Sequence, residues 1–573
     1  MKYLGSPGVG NLYQRRGHYD RGVSDSTLTV EARIPDALRA SVDDRLAAAA
    51  QARVSERLRE GDATLWGAQD TPEVANRLGW LTIAERMLGE LGALELFAAE
   101  VHDDELEDIV LLGMGGSSLA PEVLRRSFAG REGNARMHVL DSTDAARIRA
   151  VEAAVDLRRT LFIVSSKSGG TIEPLSLFAH FFALVEHGNS FIAITDPGSG
   201  LEALANKHAF RRVFPGDPNI GGRYSALSAF GIVPGALMGI RVRVLLEGAA
   251  GAWETALSDG SDAVSDGAAV WLGAALSGLA RAGRDKLTFV ISDTLPGLGL
   301  WLEQLVAEST GKHGTGILPV ADEPLGEPAD YGEDRVFAYL PDLHAPNAGL
   351  EARVQALADA GHPVITMPTY GPTDLGRVFL LWELVVAVVG WGLEINPFDQ
   401  PNVQQAKDAT KQVLADYEAK HELPQVPDAD ETAVRSLLLE AEPPQYVAIM
   451  SYSEPTPESD LAAGELRVAI RGATKATTTF GYGPRFLHST GQFHKGGPMT
   501  GRFLQLIHDG ATDVEIPGGV GGADTFTTLK NAQAIGDLNT LRELGLPAER
   551  VRLQGDDPVG ALRALTAKIK EKS

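Results

Sequence analysis

At 573 residues, with 44% apolar and 22% charged side chains, the chain has the composition of an ordinary globular protein and length for three or four domains of roughly 150 residues each. It contains no cysteine, which excludes disulfides, thiolate nucleophiles and cysteine-held zinc. Its net charge of −24, from 52 Lys and Arg against 76 Asp and Glu, repels a nucleic-acid backbone. A phosphorylated metabolite would be repelled too, unless a few fixed donors overcame the field locally, which turns attention to Lys167, Arg223, Lys312 and Lys407.

No run approaches the roughly 18 apolar residues of a membrane span. The opening MKYLGSPGVGNLYQRRGHYD lacks the apolar core of a signal peptide. A cytoplasmic protein with no membrane and no nucleic-acid partner is expected.

In chain order, residues 1–100 read as a helical region: ALRASVDDRLAAAAQARVSERLREG stops at Gly61, and VANRLGWLTIAERMLGELGALELFAAEV continues in the same style. From about 108 the pattern changes. DIVLLGM, MHVLDS, TLFIVSS and SFIAITD are short apolar runs, each ending in a loop and followed by a helical segment. Runs polar on neither face predict buried parallel strands in a doubly wound sheet. KLTFVISD, GILPVAD, RVFAYLP and HPVITMP repeat the plan, with helices at GLGLWLEQLVAES and LGRVFLLWELVVAVVGWGL. The fold class is therefore α/β, with doubly wound domains over 101–250 and 251–423. Pro424 to Pro443 reads as a linker to a C-terminal α/β extension over 424–573, whose strands are QYVAIMSYS, LRVAIRG, ATTTFGYG and ERVRLQG.

Six segments carry chemistry. In DIVLLGMGGSSLAPEVLRR, glycines let the backbone approach a ligand, and the helix that follows presents free amides to an anion. A dinucleotide loop would place Gly at Ser118; Gly113, Gly115 and a distant Asp141 keep that reading open, and a mere packing turn is the other alternative. SSKSGGT adds the hydroxyls of Ser166, Ser168 and Thr171 and the charge of Lys167, favouring an anion cradle over plain capping. GGRYS places Arg223 before an apolar helix, where a guanidinium needs an anion or a carboxylate; a structural ion pair would satisfy it equally.

WLEQLVAESTGKHG puts Glu308 near the negative end of an amphipathic helix, where a carboxyl pKa is expected to rise toward that of a general base. A surface glutamate beside a lysine is the alternative. INPFDQPNVQQAK leads into a helix carrying Lys407, and HSTGQFHKGGP holds His488 and His494 among glycines and hydroxyls. No metal-ligand spacing such as His-Glu-x-x-His is present, so neither a metal nor another cofactor is expected.

Taken as an ordered set, GMGGSS, SSKSGGT, GGRYS, ESTGK and FDQ with its following lysine resemble the phosphoglucose isomerase family, whose core is two sugar-isomerase (SIS) α/β domains. With HSTGQFHKGGP after FDQ, the chain most resembles the isomerase half of the bifunctional transaldolase–phosphoglucose isomerase proteins, from about Thr64 onward. No transaldolase barrel sequence precedes it here.

The resemblance implies a glucose-6-phosphate isomerase of glycolysis and gluconeogenesis acting on a sugar phosphate. It places the phosphate on Ser117 with its neighbour Gly116, and on Ser166, Lys167, Ser168 and Thr171. Arg223 would face the enediolate, Glu308 would shuttle the proton between C2 and C1, and Lys407 would assist ring opening.

Two departures stand out. Gly169 and Gly170 replace an aromatic and a threonine of the usual phosphate loop, and the interval before the lysine motif holds YGPTDLGRVF where the family has its ring-opening histidine. His488 or His494 would take that role. The family draws this histidine from a neighbouring subunit, which implies a homodimer. Two other readings stay open: an SIS-fold isomerase of mannose 6-phosphate or an amino-sugar phosphate, and a non-catalytic sugar-phosphate sensor.

Overall fold

The computed structural model describes residues 30–129, 135–257 and 267–570. Residues 1–29 of the expected helical region, with the stretch read for a signal peptide, lie outside the described residues.

Among the described residues the apolar runs form fourteen strands in three sheets. β1 (Glu31–Arg33) is an N-terminal strand within the otherwise helical opening region. The first sheet holds β2 (Asp108–Gly113), β3 (Arg136–Leu140), β4 (Thr160–Ser165), β5 (Phe191–Thr195) and β6 (Arg212–Pro215), all parallel, in the order β3-β2-β4-β5-β6. Every residue of β2, β4 and β5 is buried, as strands covered by helices on both faces must be. The second sheet holds β7 (Lys286–Ile291), β8 (Leu318–Val320), β9 (Arg335–Leu340) and β10 (Val364–Thr366) in the order β1-β10-β9-β7-β8. These four are parallel, and β1 closes the edge antiparallel to β10. The third is a parallel sheet of β11 (Tyr446–Tyr452), β12 (Thr477–Tyr482), β13 (Gly501–Ile507) and β14 (Ala548–Arg552), ordered β12-β11-β13-β14.

Several sequence expectations are corrected. The stretch through Gly61 is two helices, Asp36–Gln51 and Val54–Arg59, because Arg53 adopts φ 52° between them. LRVAIRG is not a strand: it lies inside the helix Pro457–Thr474, which Thr456 caps through Ser459 N. Its Leu466, Ala469 and Ile470 continue the helical spacing begun at Ala462 and Ala463, all buried. The expected linker contains the helix Glu431–Leu439, capped by Asp430. One apolar run does reach membrane-spanning length: Pro372–Leu393, with mean hydropathy 1.7, and 94% of an 18-residue stretch of it is buried inside the protein. It is the central core helix, packed on the helices Val242–Ala256 and Ala268–Arg281.

This topology positions the site. β2 and β4 are neighbours with Gly113 opposite Ser165, so GMGGSS and SSKSGGT emerge side by side at the carboxyl edge of the first sheet, where open α/β sheets place ligands. The short helix Gly491–Gly496 of the C-terminal region packs against the helix Leu298–Thr310, bringing HSTGQFHKGGP to ESTGK.

Candidate active site

The GMGGSS loop is tight because other backbone must pass close to it. Gly115 has φ +53°, and a Cβ there would sit 2.9 Å from both Gln304 Nε2 and the His488 carbonyl. At Gly116 a Cβ would lie 2.0 Å from the Gly222 carbonyl oxygen. The glycines thus let the GGRYS turn and the histidine segment converge. Gly116 and the buried Ser117 form this packing seam, and Ser225 Oγ donates to the Gly116 carbonyl at 3.3 Å.

The second loop faces a cavity of about 170 Å³. Ser168 and Thr171 line it at the start of the helix Ile172–Val185, whose first amides and dipole suit an anion. Ser166 is buried just behind and donates to Thr171 Oγ1 at 3.0 Å. Lys167 is turned away: its Nζ donates to Asp196 Oδ2 at 2.5 Å and to the Asp217 carbonyl at 2.8 Å, and it does not line the cavity. Burial lowers the ammonium's pKa, with Asp196 opposing. The charge expected from Lys167 is already held by a carboxylate.

Arg223 and Glu308 meet. Nη1 of the arginine lies 3.5 Å from Oε1 of the glutamate, with side chains 2% and 7% exposed. The guanidinium is fixed on its other edges. Nε donates to Ser309 Oγ at 2.7 Å, and Nη2 donates to the carbonyls of Pro397 at 2.5 Å and Asp399 at 2.9 Å. Glu308 Oε2 accepts from Gln304 Nε2 at 3.1 Å, and the same amide reaches the His488 carbonyl at 2.8 Å. Gln304, one helical turn before Glu308, therefore links the buried pair to the cavity wall.

Lys312 is fully buried and completes this cluster, donating to the Asn396 carbonyl at 2.5 Å and pairing with Asp399 Oδ1 at 2.7 Å. Burial and the Arg223 charge push its pKa down to about 7, against the pull of Asp399.

The two histidines separate cleanly. His488 lines the cavity together with Lys407, and its Nε2 lies 2.8 Å from Glu173 Oε1. Gln533 Nε2 donates to the same oxygen at 2.7 Å. Burial would raise the Glu173 carboxyl, but the His488 ring and the Gln533 amide hold it below the usual range. An ionised Glu173 accepts, so the ring proton sits on Nε2 and Nδ1 is left for other work. His494 instead lies in the core among Tyr446, Phe486 and Phe503. Neither of its ring nitrogens has a partner among the described residues, and burial with the Lys495 charge pushes its pKa down to about 3. It stands apart from the other site residues and does not line the cavity.

Glu173, Gln304 and Gln533 were not singled out from sequence, although Glu173 follows Thr171 by two residues and Gln304 precedes Glu308 by one turn. Among the described residues no group of three or more His, Asp or Glu could hold a metal.

The family model described as phosphoglucose isomerase matches residues 99–316. A glucose-6-phosphate isomerase of Thermus thermophilus is 31% identical over 393 residues, covering 60% of this chain and 91% of the relative. That of Cyanothece sp. is 29% identical over 417 residues, covering 61% and 77%. The chain belongs to the phosphoglucose isomerase family.

Two solved structures share the fold. A hypothetical protein from Thermus thermophilus superposes with TM-score 0.56 at 26% identity, covering 67% of this chain and all of that one. A glucose-6-phosphate isomerase from Chlamydia trachomatis does so with TM-score 0.53 at 20% identity, covering 70% and 90%. The α/β fold with paired parallel sheets expected of a phosphoglucose isomerase is thus present.

Proposed function

We propose that the chain interconverts glucose 6-phosphate and fructose 6-phosphate by proton transfer through an enediolate, with Glu308 as the base. One observation carries the reading: a buried carboxylate and a buried guanidinium lie 3.5 Å apart, and although neither lines the cavity with the hydroxyl-rich helix start, Gln304 joins Glu308 to the backbone of His488 in its wall.

The phosphate rests on Ser168, Thr171 and the first amides of the helix Ile172–Val185, with Ser166 setting the Thr171 hydroxyl. His488, oriented by Glu173, exchanges a proton with the ring oxygen through Nδ1, and Lys407 across the cavity assists ring opening. Glu308 then takes the C2 proton, leaving an enediolate whose oxygen faces Arg223, and returns that proton to C1. A fixed donor facing such an oxyanion contributes about 3–4 kcal/mol. Gly116 and Ser117 hold the Arg223 turn in register, while Lys167 braces the phosphate loop from behind.

The link to the isomerase half of bifunctional transaldolase–phosphoglucose isomerases is part of this proposal, supported by HSTGQFHKGGP following FDQ. So are a cytoplasmic location and a homodimer. Within one chain, His488 already reaches Glu173, so the dimer rests on the family likeness and not on a need to complete the site. The division at 100, 250 and 423 is proposed likewise, since each sheet except β1 falls within one part. A dehydrogenase-coupled assay of fructose 6-phosphate conversion by the purified chain tests the activity: steady turnover supports it, and no turnover above a Glu308→Gln control rejects it.

A further inference from the structure

A second and larger cavity, about 610 Å³, lies away from the site just described and shares no lining residue with it. It opens where the carboxyl ends of strands from all three sheets converge: Asp141 follows β3, Asp293 follows β7, Asp322 follows β8 and Thr456 follows β11. Carboxyl ends of parallel strands are where α/β sheets take ligands. The helix Leu298–Thr310 starts at this cavity without a side-chain cap and ends at the Glu308 cluster. The turn Arg485–His488 likewise sends Arg485 here and His488 to the other cavity.

Arg467 in its wall is fully engaged, but several other polar groups are under-used. Among the described residues Arg126 engages only Nε, at 2.5 Å on Glu122 Oε1, a carboxylate that Arg125 already engages twice. The Arg147 guanidinium makes one long bond among the described residues, 3.4 Å, to the Val139 carbonyl. Arg485 makes no hydrogen bond among the described residues, only a 3.5 Å ion pair with Asp141 Oδ2 and a 5.7 Å approach to the Tyr482 ring. Facing them, Glu303 is 6% exposed, yet its carboxyl has no hydrogen-bond or ion-pair partner among the described residues. A buried polar group left this way costs stability unless something polar meets it. Burial, with Asp322 adding to it, pushes the Glu303 pKa up to about 8, so at neutral pH it is a hydrogen-bond donor that adds no negative charge.

Spare guanidinium N–H groups match phosphate oxygens, while carboxyl and hydroxyl groups such as Glu303, Asp460 and Thr456 suit sugar-type hydroxyls. We propose that this cavity is a second binding site, for a small phosphorylated polyhydroxy metabolite, with the phosphate on Arg126, Arg147 and Arg485 and the hydroxyls on the Glu303 side.

The test is calorimetric titration of the full chain with glucitol 6-phosphate, which an isomerase cannot turn over. Two equivalents per chain are expected. Arg126→Gln combined with Arg147→Gln should lose one, its affinity falling roughly tenfold or more, at an unchanged melting midpoint. Thr171→Val should weaken the other. Should the double variant melt early, Arg485→Lys, which keeps the charge beside Asp141, is titrated instead, with the same loss expected. One equivalent that Thr171→Val removes and the arginine variants leave intact overturns the second site, as does no binding at millimolar ligand. One equivalent that survives Thr171→Val and is lost with the arginines upholds this site and counts against the phosphate cradle assigned to the isomerase.

Discussion

His488 Nε2 and Glu173 Oε1 lie 2.8 Å apart across 315 positions of sequence, joining the start of the helix Ile172–Val185 to the C-terminal region. The contact gives one histidine a defined tautomer at the cavity and leaves its neighbour His494 without a role there.

His488→Asn is therefore expected to slow turnover of the cyclic substrate by roughly 10² to 10⁴, the usual worth of a positioned acid–base group. Turnover of an open-chain analogue should change far less. Stopped-flow comparison of the two substrates separates these, and equal losses on both would remove His488 from ring opening.

His494→Phe should leave turnover near that of the parent, because the ring sits among aromatic side chains and off the cavity. Its effect is on acid stability. With a folded pKa near 3 and an ordinary value of 6.5, the unfolded chain binds the proton first as pH falls. Stability from this group is complete above 6.5 and declines below it, by up to about 1.4 kcal/mol per pH unit, until about pH 3. Denaturation curves at stepped pH should show a shallower slope in the Phe variant.

Lys312→Met should cost roughly 10² in kcat through misplacement, since Lys312 and Arg223 grip the same Asn396–Asp399 loop. The lysine also marks alkaline stability. Its folded pKa of about 7 lies below the ordinary 10.5, so between those values only the unfolded chain holds the proton and stability rises with pH. Melting midpoints from pH 7 to 10 should rise less in the variant than in the parent.

Thr171→Val should raise KM roughly tenfold or more with kcat little changed, because a hydrogen bond to a charged phosphate is worth about 1.5–3 kcal/mol and holds ground and transition states alike. Steady-state kinetics decide it; a fall in kcat at constant KM would contradict the assignment.

The alternation of buried runs with helices was readable because strands apolar on both faces have few alternatives, and the parallel sheets follow from it. LRVAIRG misled because seven residues cannot reveal a helical period whose cap, Thr456, lies ten positions earlier. The C-terminal strand β13, GRFLQLI, was passed over as a strand although Gly-Gly-Pro precedes it and Asp-Gly follows it. At the site, residue type and setting left Arg223 open to a structural ion pair and Glu308 to a surface position; the ordered motif set singled them out, and their 3.5 Å approach is visible only in the fold. Lys167 looked free because its partners, Asp196 and Asp217, lie 29 and 50 residues away. Gln533 reaches Glu173 from 360 residues away and leaves no local mark. Only the fold could choose between two histidines six residues apart, by burying one in an aromatic core and opening the other to a cavity.

Proton transfer by one carboxylate is the central step, and deuterium wash-in at C2 measures it directly. Glu308→Gln, incubated with glucose 6-phosphate in D₂O, should show exchange and isomerisation lowered together by about 10³ or more, while an inert sugar phosphate still binds within a few-fold of the parent. Exchange at the parental rate in that variant would contradict the mechanism, whatever the Arg223–Glu308 distance.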